Sequence, residues 1–222
     1  MIRAGEGRKR ALEQLCEAYW YPLYAYVRRR GHSAEDAADL TQGFFAMLLE
    51  RNDFAKVRQE KGRFRSYLLS AMRHYIANQH QRKTAKKRGG DAQVISLDMR
   101  DAEGRFKFEP STDEDAEKLY QRQWTLTLLD RVLTSMREEY ASTGRGDWFD
   151  LLKPALQGDA PEYAELAEAT GSSPGAVKVA VHRLRAKYKE RLRTEVAHNV
   201  GHVDVIDDEL HQLLSSVTKR HE

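Results

Sequence analysis

The residues best suited to chemistry lie in the stretch KGRFRSYLLSAMRHYIANQHQRKTAKKR, residues 61–88. This stretch has no aspartate or glutamate, and its basic side chains are Lys61, Arg63, Arg65, Arg73, Arg82, Lys83, Lys86, Lys87 and Arg88. Its apolar residues recur at helical spacing and should form one buried stripe: Phe64, Tyr67, Leu68, Ala71, Met72, Tyr75 and Ile76. The outer side of such a helix would carry only positive charge, so it is suited to neutralise the phosphates of a nucleic acid.

A second group of chemically capable residues lies in YAELAEATGSSPGAVKVAVHRLR, towards the C-terminus. Ala167 is small enough for two helices to cross closely, and Gly171 supplies a left-handed turn between them. Ser173 can cap the second helix, with Pro174 at its first position. The outward residues of that helix can reach phosphates, base edges and thymine methyl groups: Lys178, Val179, His182 and Arg183. The pattern favours a DNA-binding helix-turn-helix over an ordinary helical hairpin with a solvated basic face.

Both basic helices belong to a chain in which nearly every segment has helical periodicity. No segment longer than a few residues has the period of a strand, and no internal repeat is present. The sequence therefore predicts an all-α fold of two helical domains joined by a long linker. The predicted divisions are an N-terminal domain at 8–83, an acidic linker at 84–121, a helix-turn-helix domain at 122–195 and a C-terminal extension at 196–222.

Two features of the N-terminal domain can be predicted in more detail. The first helix is expected to bury a single stripe, formed by Leu12, Leu15, Cys16, Tyr19 and Leu23. Ser33, three residues before Asp36, is expected to cap the helix that follows.

Charge is segregated along the chain. The net charge is only +3, but residues 98–117 hold eight acidic residues against three basic ones, and residues 178–193 hold seven basic residues against one acidic. Two basic modules on either side of an acidic spacer indicate a polyanionic partner for the modules. One interpretation of the spacer is a solvated acidic segment that keeps the two basic modules from aggregating.

Several classes of protein do not fit the sequence. The eight histidines do not pair at metal-ligand spacing, and no glycine-rich phosphate loop is present, so no metal, no cofactor and no catalysis are expected. The single Cys16 excludes an internal disulfide. No apolar run approaches the ~18 residues of a membrane span, and residues 1–10 lack the apolar stretch of a signal peptide. We therefore expect a cytoplasmic protein that is monomeric when free.

Three segments resemble bacterial RNA polymerase sigma factors of the extracytoplasmic-function (ECF) type. The segment DLTQGFF matches the D-L-x-Q-x-x-F signature of those proteins, and GRFRSYLLSAMRH is similar to the stretch that follows it. The segment SPGAVKVAVHRLR resembles their C-terminal recognition helix, and VISLD is common in their linkers. The resemblance covers about residues 11–195, and the nearest likeness is to planctomycete-type ECF factors, which also carry GAVKVAVHRLR and a C-terminal extension.

The resemblance implies a role for each matched segment. Core RNA polymerase would be bound by Asp39, Leu40, Gln42 and Phe45. The minus-ten promoter element would be read and opened by Arg63, Arg65, Arg73, His74 and Asn78. The minus-thirty-five element would be contacted by Ser173, Lys178, Val179, His182 and Arg183. Many relatives have asparagine where this chain has His74, so the base preference at that position stays open.

The predicted linker is long enough for this role. If the modules bind elements roughly 24 base steps apart, the span is ~80 Å. The linker at 84–121 can stretch to at most ~130 Å, but as a flexible coil it would average only ~35 Å. Something must therefore hold it extended on the promoter. The resemblance implies that the linker threads a basic channel of the polymerase near the RNA exit path, and the net charge of −5 over residues 98–117 suits that role as well as it suits a solvated spacer.

Regulation leaves several hypotheses open. Thr41 lies inside DLTQ, where a Ser/Thr kinase could add nearly two negative charges beside the docking motif, or it is an ordinary polar helix residue. The C-terminal extension either masks a basic face or braces the C-terminal domain, and an anti-sigma factor is a further candidate partner. The longer connection at 136–161 could reshape the DNA-binding domain.

Two other functions remain as alternatives. One is a helix-turn-helix regulator that binds DNA without polymerase, and the other is an RNA-binding adaptor that uses residues 61–88. The segment from Asp39 to Phe45 distinguishes these alternatives from a sigma factor, because only a sigma factor would bind polymerase through the surface residues of that segment.

Overall fold

The computed structural model describes residues 18–51, 64–85, 99–108, 115–156, 162–197 and 206–218. Within these ranges all regular structure is helical, as predicted. The helices are α1 (18–29), α2 (Ala34–Arg51), α3 (Phe64–Ala85), α4 (Met99–Phe108), α5 (Ala116–Ser142), α6 (Gly146–Leu152), α7 (Tyr163–Thr170), α8 (Pro174–Ala197) and α9 (Ile206–Thr218). A 3-10 turn, Lys153–Leu156, follows α6. We call α1–α3 the N-terminal unit and α5–α8 the C-terminal unit.

Helix α1 is the centre of the N-terminal unit. The run AYWYPLYAYV, residues 18–27, is buried along its whole length. Tyr19 and Leu23 of the predicted stripe are buried as expected, together with the residues between them, and Leu12, Leu15 and Cys16 lie outside the described residues. A helix that is apolar all round requires neighbours on every face. Trp20 packs 6.0 Å from Phe45 of α2, and Tyr19 packs 5.5 Å from Phe64 of α3, between ring centroids. Helices α4 and α5 cover the remaining faces.

The turn between α1 and α2 is built as the sequence predicts. Gly31 has a φ of 88°, a left-handed conformation that ends α1 at little steric cost. The Ser33 hydroxyl oxygen accepts a hydrogen bond from the backbone N–H of Asp36 at 3.1 Å. This bond satisfies one of the donors left open at the start of α2, so the predicted cap is confirmed.

Helix α4 lies inside the predicted linker and docks on α1. Glu103 accepts hydrogen bonds from the Tyr24 hydroxyl at 2.5 Å and from two nitrogens of Arg28 at 3.1 Å each. The Arg28 guanidinium also lies 4.7 Å from the centroid of the Phe106 ring. These bonds to Arg28 lower the pKa of the Glu103 carboxyl and raise the pKa of Arg28. Part of the acidic spacer is therefore paired with the N-terminal unit.

Helix α5 connects the two units. It begins at Ala116, inside the predicted linker, after Asp115 accepts a hydrogen bond from the Glu117 N–H at 3.1 Å. Its first half packs on the N-terminal unit: the Tyr120 ring lies 6.4 Å from Tyr26, and the Trp124 ring lies 6.0 Å from Tyr19. Its second half packs against α6 and α8, through Tyr140 and Glu139, and α9 packs beside Thr125 in the first half. One continuous helix of 27 residues thus belongs to both cores.

Helix α9, in the C-terminal extension, packs against α5 and α8. Its apolar side is buried at Ile206, Leu210 and Leu213. The Thr125 hydroxyl of α5 and the Ser216 hydroxyl of α9 are 3.3 Å apart, within hydrogen-bonding distance. The predicted amphipathic helix is present and packs on the C-terminal unit.

Candidate DNA and polymerase interfaces

The connection between α7 and α8 has the geometry that the sequence predicts. Gly171 has a φ of 60°, and the Ser172 N–H donates a hydrogen bond to the Ala167 carbonyl at 2.9 Å, which closes the end of α7. The Ser173 hydroxyl oxygen accepts from the Ala176 N–H at 3.2 Å and so caps α8. Ala167 is buried where the two helices cross. The turn therefore sets the angle between α7 and α8.

Helix α8 separates an apolar side from a basic side. Val177, Val181 and Leu184 are fully buried and attach the helix to the core. The predicted minus-thirty-five residues all lie at the surface: Ser173, Lys178, Val179, His182 and Arg183. The Val179 side chain is also exposed, at 51%. Lys178, Val179, His182 and Arg183 share one exposed side of α8 by helical spacing, and Ser173 is exposed at the start of the helix.

Three further basic residues of α8 fasten the helix to the segment at 136–161. The Arg185 guanidinium donates two hydrogen bonds to the Ala155 carbonyl, at 3.1 and 2.9 Å. Glu139 pairs with Lys187 and with Arg191, the latter at 2.8 Å. The Lys187 ammonium lowers the pKa of the Glu139 carboxyl. Sequence reasoning missed these contacts, because nothing in the local pattern distinguishes a lysine or arginine that points to DNA from one that points back.

Helix α3 presents three of its five predicted residues to the surface. Arg73, His74 and Asn78 are exposed, and Arg73 forms an ion pair with Glu117 at 2.8 Å. The His74 Nδ1 lies 2.8 Å from the Ser70 carbonyl. Arg63 lies outside the described residues.

Tyr67 is an exception to the predicted buried stripe of α3. Leu68, Met72 and Ile76 are buried as expected, but Tyr67 is 37% exposed and stacks on Phe64 with 6.4 Å between ring centroids. The prediction that Tyr67 closes the core was wrong. Helical spacing places it at the edge of the stripe, next to Phe64.

Arg65 does not share the surface of the other residues, because it is 4% exposed. Its guanidinium pairs with Glu209 of α9 and donates a hydrogen bond to the Gln121 side chain. It also lies 5.1 Å from the centroid of the Trp124 ring. The Tyr120 hydroxyl donates to the Arg65 backbone carbonyl at 3.1 Å. Partners from α5 and α9 thus surround a residue that the resemblance assigned to promoter DNA.

The predicted polymerase-docking residues divide between surface and core. Asp39 is exposed and Gln42 is half-buried, whereas Leu40 and Phe45 are buried. Phe45 packs against Trp20 in the core and so holds α2 on α1. Of the four predicted docking residues, Asp39 and Gln42 are therefore the ones that a partner can reach.

Thr41, the candidate phosphorylation site, is fully buried. Its hydroxyl donates a hydrogen bond to the Ala37 carbonyl at 2.7 Å. A kinase could reach this hydroxyl only if α2 opened locally, so the folded chain does not present it.

Gly43 of α2 lies against the Tyr75 side chain of α3. A Cβ at this position would overlap the hydroxyl of Tyr75, so a larger residue requires the Tyr75 side chain to shift. Tyr75 in turn packs 5.8 Å from Phe44, between ring centroids. Sequence reasoning did not single out Gly43, although a glycine in a helix interior is a signal of close packing.

Among the residues that the structure describes, no cluster of histidine, cysteine, aspartate or glutamate has the arrangement of a metal site. No helix in the same residues is long and apolar enough to cross a bilayer.

The family of the chain follows from comparison with known proteins. A family model described as "ECF sigma factor" matches residues 2–194, which include α1 to α7 and most of α8. No curated protein and no solved structure gave a significant match. The match does not extend to α9, and the planctomycete-type subgroup stays a prediction. The chain belongs to the ECF sigma factor family, a regulatory and non-enzymatic class of proteins that act in promoter-directed transcription initiation.

Proposed function

We propose that this sigma factor binds core RNA polymerase through α2 and promoter DNA through α3 and α8. The observation that carries the proposal is the outward surface of α8. It combines two strong cations, an imidazole and an exposed valine directly after a capped helix start. A helix of this kind fits the major groove with its first turns against the base edges.

The contacts proposed for α8 follow from side-chain chemistry. Lys178 and Arg183 can bind phosphates or guanine edges, and Val179 can pack on a thymine methyl group. Ser173, at the helix start, is placed for a phosphate contact. Arg185 takes no part in reading DNA in this proposal, because its guanidinium is held by the Ala155 carbonyl.

The contacts proposed for α3 involve separated strands. Arg73, His74 and Asn78 form the outward polar side of the helix. The exposed Tyr67 ring, already stacked on Phe64, offers a flat apolar surface on which an unpaired base can rest. Phosphate neutralisation together with base stacking is what binding of single-stranded DNA requires.

The polymerase contact is assigned to the exposed side of α2. Asp39 and Gln42 can make polar contacts with a partner, while Leu40 and Phe45 keep α2 packed on α1 from within the core. This division predicts that substitutions at the first two positions change binding, and that substitutions at the other two change stability first.

The first experiment compares binding of the purified full chain to core RNA polymerase, wild type against the Asp39→Ala/Gln42→Ala double variant. A matched control is Glu138→Ala/Gln212→Ala, which also removes one carboxylate and one amide from exposed positions. We expect the docking variant to lose at least about tenfold in affinity, equivalent to ~1.4 kcal/mol, and the control to stay within twofold. Equal affinity of the two variants would contradict the docking proposal. No binding of the wild type would favour a DNA-binding regulator that acts without polymerase.

A further inference from the structure

The buried site of Arg65 joins three parts of the chain that are far apart in sequence. Arg65 comes from α3 and Glu209 from α9, and both side chains are almost fully buried. Gln121 and Trp124 of α5 complete the surroundings of the guanidinium. A buried cation and a buried carboxylate are each costly alone, so each holds the other in place.

Helix α9 is attached to the C-terminal unit, so the pair bridges two units. Its residues Leu210 and Leu213 are buried against α5 and α8, and Arg193 of α8 forms an ion pair with Asp207. The Arg193–Asp207 pair is exposed, so it contributes little to holding α9. The Arg65–Glu209 pair is the buried connection from α9 to the N-terminal unit.

This closed arrangement limits how far apart the two DNA-binding helices can lie. Helix α5, with 27 residues, contacts the N-terminal unit at its start and α6 at its end. Its length is about 40 Å, half of the ~80 Å expected between the two promoter elements. The closed chain must therefore open between the N-terminal unit, including α1, and α5 before both elements are bound together.

We propose that α9 is a latch: Glu209 holds Arg65 in the closed chain. Release of this pair weakens the contact of the N-terminal unit with α5, which also includes the rings of Tyr19 and Tyr26, so that the units separate and Arg65 is exposed to DNA. The C-terminal extension acts through its buried side in this mechanism, and not by covering the exposed surface of α8. The closed chain is unable to bind the promoter in this mechanism, so this part of the inference rests on the proposed function.

The test uses the full chain with Glu209→Gln, which removes the charge but keeps the shape of the side chain. Its matched control is Asp208→Asn, the same change at the exposed neighbouring position. The first readout is the radius of gyration by small-angle X-ray scattering, without DNA. A compact chain of this length should measure ~17 Å, and we expect Glu209→Gln to exceed the wild type by at least about a fifth while Asp208→Asn matches it.

The second readout is binding of a fluorescein-labelled pool of single-stranded 20-mers with randomised bases. We expect Glu209→Gln to bind at least fivefold tighter than the wild type and the control. A lower melting temperature of Glu209→Gln with unchanged radius and unchanged DNA binding would overturn the latch and leave an ordinary buried ion pair.

Two outcomes need separate treatment. If Glu209→Gln loses its helical circular dichroism, the test uses Glu209→Asp instead, which keeps the charge but shortens the side chain that reaches Arg65. A Glu209→Asp chain that stays as compact as the wild type and binds DNA as weakly would overturn the latch. If Glu209→Gln expands but no form of the chain binds DNA or polymerase, the latch is supported and the proposed function fails.

Discussion

Helices α3 and α8 are both basic, both amphipathic and both assigned to promoter DNA, yet the structure treats them differently. Helix α8 exposes all five of its predicted residues, whereas α3 exposes three and buries Arg65 between α5 and α9. The difference lies in their neighbours, since α8 has an open side and α3 has partners at its N-terminal end. Positive charge at helical spacing therefore identifies a candidate surface, but packing decides which cations can reach a ligand.

The largest expected effect tests the open side of α8. The double variant Lys178→Ala/Arg183→Ala should bind duplex promoter DNA about 100-fold more weakly, with the salt slope reduced by about two, because two phosphate or base contacts are lost. The matched control is Lys189→Ala/Arg145→Ala, which removes two exposed cations from elsewhere in the C-terminal unit. Fluorescence anisotropy over a range of salt concentrations measures both quantities. Equal losses in the two variants would show that only total charge matters.

A second prediction concerns how α3 is held against α2. Gly43→Ala should lower the free energy of unfolding by about 1–3 kcal/mol, because the new methyl group overlaps the Tyr75 hydroxyl. Gly175→Ala, in α8, meets open space and should be neutral or slightly stabilising. Urea denaturation of both variants measures the difference. Adding Tyr75→Phe to Gly43→Ala should recover part of the loss, and no recovery would argue against this contact as the cause.

A third prediction concerns how α8 is held. Arg185→Lys keeps the charge but loses the two-nitrogen grip on the Ala155 carbonyl, so we expect a loss of about 1–2 kcal/mol in unfolding free energy. DNA affinity should fall several-fold although the net charge is unchanged, because α8 is less well positioned. The matched control is Arg183→Lys, at a position that contacts DNA in the proposal. This change should weaken DNA binding without changing the free energy of unfolding. Wild-type DNA affinity in Arg185→Lys would rule out a positioning role.

The smallest expected effect concerns α4 and its pairing with α1. The lowered pKa of Glu103 means that its bonds to Arg28 stabilise the fold above the unfolded pKa of about 4.5, and that this contribution is lost as pH falls through the lower folded pKa. Glu103→Gln should therefore cost about 1 kcal/mol at neutral pH and show a weaker loss of stability below pH 4.5 than the wild type. Denaturation curves between pH 7 and pH 3.5 provide the test. Parallel pH profiles would show that other carboxylates dominate.

Much of the molecule could be predicted from local patterns. The all-helical fold, the glycine turn between α7 and α8, the caps at Ser33 and Ser173 and the outward surface of α8 all follow from spacing within one or two turns. The start of α5 was placed about six residues late, and α4 was not predicted, because its apolar residues are too few for a periodic signal. It forms a helix where Glu103 and Phe106 meet α1.

By itself, the sequence determined which segments are helical, where the capped turns lie and which helices are basic, because these properties depend on side chains a few residues apart. Only the tertiary structure decided that α1 is buried on every side, that Tyr67 is exposed, that Arg185 points to a carbonyl and that Arg65 is enclosed with Glu209. Burial and charge pairing depend on which surfaces meet, and a local pattern carries no information about a partner that lies elsewhere in the chain.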